Sequence, residues 1–453
     1  MLDEVSIIKY GLSSINNIDL TKSFEIYDIH TNNHIINLFL IKDDKTYCPS
    51  CNSNNIKISG SASSKIKHSS GLENNIILIL NKRRFKCLNC GRNFREHFNI
   101  SQETKTISAV KDLKILESLK DINKTFTSIA KDYDVSPTYV MNLLDKKVDF
   151  FRFKLPKVLC IDEVYSDRLV KYKYCCVLYD PHKNNIVDLL SCRHLNFLID
   201  YFSHIPKDEK DAVEFISMDM WESYRTMAKK CLPKAKIAVD SFHVVQQLNN
   251  AFNKIRIRVM KKYEDTKKQH GSYYWLYKKH WKLLLMDVGN SSYIKVNDKK
   301  TGMELSNLQI IDYMLELDDE LRAAYDLKEA YREFNKLRNL DTAEYDLNQF
   351  VVKFKSFGKQ AYLQFGKLLE NWFREIINSF HVVDGRRVSN GKMERVNRDI
   401  KTIFRSSYGS KNFIRTRNRV MNCINNDAYI LNIRKDKTNS KQQLKPRRKY
   451  KNK

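Results

Sequence analysis

Apolar positions along this chain change their rhythm several times. Residues 1 to about 45 are polar, with short apolar runs such as Ile35 to Ile41. Asn75 to Leu80 and Arg83 to Lys86 read as strands. Between residues 106 and 146 the spacing becomes helical. Val110, Leu113, Leu116 and Leu119 predict an amphipathic helix over Ile107 to Leu119, and Phe126 to Tyr133 predicts a short one. Asp134-Val135 makes a turn, Ser136 is placed to cap and Pro137 to open a third helix, and Tyr139, Val140, Leu143 and Leu144 continue it. A short helix, a tight turn and a capped helix form the helix-turn-helix pattern.

From Leu155 strands and helices alternate. Val158 to Ile161, Tyr172 to Tyr179 and Ile186 to Ser191 read as three hairpin-connected strands. A helix over Leu195 to Phe202, a strand over Phe215 to Met218, a helix over Ser223 to Cys231, a strand over Lys236 to Val239 and a long helix from near Phe242 follow. This order predicts an α/β fold with a mixed sheet, in the order of an RNase H-like domain. In such a sheet the first and fourth strands are neighbours and the fifth lies one strand further out. Residues 255 to about 378 read as a helical insertion, with Leu308 to Arg338 and Phe350 to Phe380 as its clearest helices and Trp275, Trp281 and Trp372 among its aromatics. Ser389-Asn390-Gly391 then signals a turn. Met393, Val396, Ile400 and Phe404 predict a helix, with Glu394, Asn397 and Lys401 on a neighbouring face. After Ile433 the chain is rich in Lys and Arg to its end and reads as a disordered basic tail.

Of the 453 residues, 42% are hydrophobic, enough for several packed domains. No apolar run approaches the roughly 20 residues of a membrane span, and the start lacks a secretory pattern, so the cytoplasm is the expected compartment and no membrane partner is expected. The net charge of +27 changes the picture, because so large an excess repels itself unless a polyanion neutralises it. Clustered Lys and Arg point to nucleic acid.

The 10 cysteines are unevenly placed. Cys48-Pro-Ser-Cys51 and Cys87-Leu-Asn-Cys90 can each close a knuckle, and two knuckles complete a tetrahedral zinc site on a ribbon. The loop between them is longer than the usual ribbon's. His68, between the pairs, reads as a surface residue rather than a ligand. Arg83 and Arg84 lead into the second knuckle and are placed for phosphate contact. Thr138, Tyr139 and Asn142, on the second helix of the helix-turn-helix, are placed for the major groove.

Asp162 and Asp219 each follow a short apolar strand, at the carboxyl edge where α/β sheets carry their sites. Two such carboxylates repel unless a cation joins them, and magnesium (or manganese) takes hard oxygen ligands. Glu394, from the late helix, would complete a trio for two-metal phosphoryl transfer. Asp240, just before Phe242-His243, reads as a helix cap or supporting residue. Glu163 and Glu222 are rivals that spacing alone does not remove.

These residues resemble a family. Cys160-Ile-Asp-Glu163, Ser217-Met-Asp-Met220 with Tyr224, Val239-Asp-Ser-Phe-His-Val244, Ser389-Asn-Gly-Lys-Met-Glu394 with Asn397 and Lys401, and Tyr408-Gly-Ser-Lys-Asn-Phe413 leading into Arg415-Thr-Arg417 are similar to the ISL-three family of bacterial insertion-sequence transposases. The resemblance runs from the cysteine ribbon to about residue 425. It departs at Ser241, where that family more often has arginine. It implies a DDE triad of Asp162, Asp219 and Glu394, terminal inverted-repeat recognition by the N-terminal domains, double-stranded DNA as partner and, by analogy, a synaptic homodimer associated with the bacterial nucleoid. On this reading Lys392, Arg395, Asn397, Arg398, Lys401 and Arg405 line the DNA and Asn397 and Lys401 touch the cleaved strand; the insertion tryptophans read first as helix-core residues, with stacking on a displaced base as the alternative. The expected domains are a zinc ribbon (1–100), a helix-turn-helix (101–150), an RNase H-like domain (151–254 and 379–433), a helical insertion (255–378) and a tail (434–453). The rivals are a transposase-derived DNA-binding regulator without catalysis and a structure-specific nuclease of the same fold.

Overall fold

The computed structural model describes residues 24–32, 35–42, 46–68, 75–96, 106–166, 169–264, 267–287, 296–298, 303–337, 339–407 and 411–425. The expected basic tail and Tyr408 to Ser410 of the family-like motif lie outside these residues. The chain divides into two compact units, Met1–Phe151 with Thr402–Lys453, and Arg152–Lys401.

The first unit opens with a sheet of β1 (Phe24–Asn32), β2 (Ile35–Lys42), β3 (Ile56–His68), β4 (Asn75–Cys87) and β5 (Asn93–Arg95), in the order β1-β2-β4-β3 with β5 on β4. The two strand-like runs at 75–80 and 83–86 are one strand, because Asn81 and Lys82 stay paired with Ser63 and Ala62. β3 and β4 form a hairpin paired from Ile56↔Cys87 to His68↔Ile76. Two strands of 13 residues account for the long spacing between the cysteine pairs, since both knuckles sit at the hairpin's base.

Three helices follow: α1 (Ala109–Ser118), α2 (Phe126–Asp132) and α3 (Pro137–Lys147). Ser108, Thr125 and Ser136 cap them, and Pro137 opens the third as expected. Ile115, Leu119, Phe126, Ile129, Val140, Leu143 and Leu144 form their core. Leu113, expected on the buried face, is 52% exposed, because packing through Ile115 and Leu119 sets the phase of α1. His68 is also not at the surface: it is fully buried, with Nδ1 3.0 Å from Ser108 Oγ.

The second unit begins with β6 (Val158–Tyr165), β7 (Tyr174–Asp180), β8 (Asn185–Leu190), α4 (Leu195–Ser203), α5 (Lys207–Asp211), β9 (Phe215–Met218), α6 (Glu222–Cys231), β10 (Lys236–Val239) and α7 (Ser241–Lys262). Its sheet runs β10-β9-β6-β7-β8, with the β6-β7 and β7-β8 pairs antiparallel and the β6-β9 and β9-β10 pairs parallel. The first and fourth strands of this sheet are therefore neighbours, as its element order predicts. β6 is longer than expected. Its parallel pairing with β9 ends at Cys160↔Ser217, while its pairing with β7 continues through Asp162↔Val177 to Tyr165↔Tyr174. Asp162 is thus inside a strand rather than at its end.

The helical stretch comprises α8 (Lys267–His280), a 3₁₀ turn at Leu283–Leu285, the short strands β11 (Val296–Asp298) and β12 (Met303–Leu305), then α9 (Asn307–Glu316), α10 (Asp319–Leu337), α11 (Ala343–Ser356), α12 (Gln360–Asn371) and α13 (Phe373–Asn378). The expected helix from Leu308 splits because the Asp318 carboxylate accepts from Leu321 N–H at 2.9 Å and starts a new one. The helix from Phe350 breaks at Gly358, whose φ of +78° suits glycine. The expected boundary at 254 falls within α7. Leu248 and Phe252 of α7 share one core with Tyr325, Tyr331, Phe354 and Tyr362 and with the sheet, so the insertion is not a separate body. A small hairpin, β13 (Val382–Val383) with β14 (Arg386–Arg387), precedes α14 (Met393–Ser406). Met393, Val396, Ile400 and Ile403 are buried along α14, and Phe404 is half-buried.

The last helix, α15 (Phe413–Ile424), belongs to the first unit. Asn418 Nδ2 donates to Val148 O at 2.9 Å, Arg417 Nη1 to Phe150 O at 2.8 Å and Cys423 Sγ to Leu119 O at 3.1 Å. Arg415 pairs with Asp145 at 2.5 Å, and the buried Arg419 guanidinium donates to Lys124 O. This helix was expected to close the domain ending at 433. It packs on α1 to α3 instead, because their exposed carbonyls need its donors.

Two outcomes follow from this packing. Asn418→Ala should destabilise the helical part of the first unit by about 1–3 kcal/mol, the cost of unpaired buried partners. Hydrogen exchange should then lose protection over 115–144 and remain unchanged in the sheet of the second unit. The second outcome concerns His68, whose imidazole burial and the Lys114 and Lys111 charges push down from 6.5 to about 4. Unfolded, it takes a proton near 6.5; folded, it stays neutral to about 4. The unfolded state then binds more protons across that window, and stability falls as pH drops through it, by up to ~3 kcal/mol. Denaturant midpoints of zinc-loaded protein should show a steeper acid slope for the native chain than for His68→Leu.

Candidate functional site

The four knuckle sulfurs converge. Cys48 Sγ lies 3.6 Å from Cys90 Sγ and Cys51 Sγ 3.5 Å from Cys87 Sγ, and one ligand atom from each of the four lies within 4.8 Å of every other. Four thiolates about 2.3 Å from a zinc ion would stand roughly 3.8 Å apart, so the donor set fits zinc. Against a burial penalty, N–H groups of Ser50 and Cys51 lower the Cys48 thiol to about 6. The Cys90 and Asn89 N–H groups lower Cys87. Cys51, despite a bond from Ser53 N–H, is pushed up to about 12 by Cys87 beside it and by burial. A cluster that lowers some thiols at the expense of others is one a cation would relieve.

A second cluster forms where α14 meets β6. Asp162, Asp240, Phe242, His243, Asn390, Glu394, Asn397, Arg398 and Lys401 are among the residues that line a cavity of about 430 Å³. Burial, followed by the charge of Asp219, pushes the Asp162 carboxyl up to about 6. Each Asp162 oxygen holds one donor: Glu163 N–H reaches Oδ1 and Asn397 Nδ2 reaches Oδ2, both at 2.7 Å. Asp219 and Asp162 each stand two residues beyond the last β6-β9 pair, which brings both acids to the same edge. Asp219 Oδ1 is 2.7 Å from His243 Nε2. Burial disfavours the charged His243 imidazole, but the bond to Asp219 outweighs it and raises its pKa. Glu394 is 82% exposed, with Arg398 3.6 Å away. Among the described residues the three acids do not close to the 4.8 Å that gathers the cysteines. The half-buried Asp162, the buried Asp240 and the exposed Glu394 face the same cavity, and Asp219 stands beside Asp162 at the same sheet edge, an oxygen donor set that fits a hard divalent cation.

The rivals are otherwise engaged. Glu163 is held by Arg193 and by Tyr224 Oη at 3.0 Å, and Arg193 stacks on Tyr174 and Trp221. Glu222 is paired with Arg225. Asp240 caps α7 through Phe242 N–H, as expected, and burial raises its carboxyl. Ser241, the departure from the family pattern, accepts a bond from Arg387 at 3.1 Å.

The candidate nucleic-acid contacts divide in a similar way. Arg84, Thr138, Asn142, Arg395, Arg398, Lys401 and Arg405 are exposed. Arg83 instead pairs with the buried Glu96 at 2.5 Å, and the Tyr139 hydroxyl donates to Asp112 at 2.5 Å. Lys392 reaches Asn184 Oδ1 at 2.6 Å. Asn397 is buried on Asp162 and does not face outward. No insertion tryptophan lines the cavity; Trp372 is buried under the Arg225 guanidinium, and the aromatic at the cavity is Phe242, 60% exposed. Sequence reading missed His243 and Asn390 as site residues. The signal available was their place in the two family-like motifs.

Residues 159–420, more than half of the chain, match a family model of ISL3-type DDE transposases, described as a transposase. Residues 44–90 match one described as the zinc-finger of transposase IS204/IS1001/IS1096/IS1165. No curated protein matches the chain. The matched zinc-finger and the gathered cysteines together support zinc at the N-terminus. No helix among the described residues is long and apolar enough to cross a membrane.

Purified protein should carry one zinc ion per chain by elemental analysis. Cys87→Ser should lower zinc affinity by more than about tenfold and unfold the β3-β4 hairpin, while the second unit melts unchanged.

Proposed function

The chain belongs to the ISL3 family of transposases, and on that premise we propose that it binds the terminal inverted repeats of an insertion sequence and catalyses metal-dependent DNA cleavage and strand transfer. The observation that carries this reading is the meeting of Asp162 and Glu394, distant in sequence, in one cavity, with Asp219 at the same sheet edge. The strand order supports an RNase H-like domain, and the capped α2-turn-α3 arrangement supports a helix-turn-helix.

Asp162, Asp219 and Glu394 would hold magnesium or manganese, which when bound polarises phosphoryl oxygens and activates the attacking hydroxyl or water. The chain's own work is positioning and charge. Glu163 N–H and Asn397 orient the Asp162 carboxylate, and His243 orients Asp219. Exposed Arg395, Arg398 and Lys401 offer cations along one helix for the phosphate backbone beside the cavity, with Arg405 in its last turn. Arg84, Thr138 and Asn142, exposed on the ribbon and on α3, are the proposed end-recognition contacts. Two chains paired across two ends make the working assembly, by analogy with other DDE enzymes.

Asp162→Asn, Asp219→Asn and Glu394→Gln should each lower strand transfer on a labelled inverted-repeat duplex by at least about 100-fold. Gel-shift affinity for that duplex should be retained. A variant that keeps near-native strand transfer would remove its residue from the triad.

A further inference from the structure

Resting on that reading of the cavity, we propose that Asn390 and Asn397 are positioning residues: they pin the Glu394 helix to the strand that carries Asp162, and so set the spacing and orientation of two of the acids. Three consecutive residues of β6 are held from one short segment. Cys160 Sγ donates to Ser389 O at 3.6 Å, Asn390 Nδ2 donates to Ile161 O at 3.1 Å, and Asn397 Nδ2 donates to Asp162 Oδ2 at 2.7 Å. Asn397 follows Glu394 by three residues, about one helical turn, so the bond that fixes Asp162 also fixes where Glu394 stands.

The chemistry of the partners sets each amide's direction. A backbone carbonyl and a carboxylate only accept, so each amide must present its NH₂ group. Both side chains are buried, and the Oδ1 of each has no hydrogen-bond partner among the described residues. An amide kept in such a place with half of its capacity unused is there for its donor, because an apolar side chain would suit the burial better. With Glu163 N–H on Oδ1 and Asn397 on Oδ2, each Asp162 oxygen retains a lone pair in a fixed direction. That is the arrangement a metal-ligating carboxylate needs from its supporting groups. It also removes Asn397 from the set of DNA contacts.

The test uses full-length, zinc-loaded protein titrated with Mn²⁺, with free Mn²⁺ read by electron paramagnetic resonance. Asn397→Ala should weaken Mn²⁺ binding by about 10–100-fold, and Asn390→Ala by less. Affinity for inverted-repeat DNA should not change, and strand transfer should recover as Mn²⁺ is raised. Asn397→Leu keeps the branched outline of the side chain without its donor and should behave like the alanine variant, which leaves a test if the smaller side chain prevents folding. Native Mn²⁺ affinity in a folded Asn397 variant overturns the proposal. So does lost DNA affinity with Mn²⁺ affinity intact, which would return Asn397 to contact with the strand. Asp162→Asn is run beside them. If it keeps native Mn²⁺ binding and strand transfer, the reading of the cavity itself fails, whatever the asparagine variants do.

Discussion

An acid on a mostly buried strand, close enough to a second acid to feel its charge, is the constraint around which the second unit is arranged. Asp162 is pushed up to about 6 by burial and by Asp219. Its neighbours answer that strain without cancelling it. Asn397 and Glu163 N–H give it donors, His243 takes Asp219, and Arg193 with Tyr224 holds the adjacent Glu163 away. Among the described residues no basic side chain forms an ion pair with Asp162, in contrast to Glu163, which pairs with Arg193. A fully paired carboxylate would be a stable structural feature. One that is oriented but not neutralised keeps an appetite for a cation.

The sheet makes this possible through unequal strand lengths. β6 continues past the end of its parallel pairing with β9 while β7 supports its other side. The main chain at Asp162 is thus fixed by an antiparallel ladder, yet its side chain reaches the open edge where α14 can meet it. The long helical stretch does not loosen this arrangement. It shares one continuous core with the sheet through α7, and Glu394 returns to the cavity after that packed stretch despite its distance along the chain.

The first unit solves a different problem. A hairpin of two long strands places its knuckles at one end and closes them with four sulfurs, as a small sheet with few core residues requires. Its three helices are completed by α15, which arrives from the far end of the chain and supplies donors to carbonyls at the ends of α1, α3 and the α1-α2 turn. N- and C-terminal segments therefore fold together.

Much of this was legible in the sequence, for local reasons. Cys-x-x-Cys spacing, the Ser136-Pro137 cap, short apolar strands in a set order and the family-like motifs all act within a few residues, and a linear reading captures them. The cap role of Asp240 was readable in the same way. Tertiary structure decided what depends on partners far along the chain. It buried His68 against Ser108, gave Arg83 to Glu96 and the Tyr139 hydroxyl to Asp112, turned Leu113 outward and moved α15 to the first unit. It also turned Asn397 from the DNA side of its helix to Asp162. Helical spacing places a residue on a face, but only the element packed against that face determines which side chain meets it. A hydrogen bond between residues 162 and 397 leaves no periodic trace in the sequence.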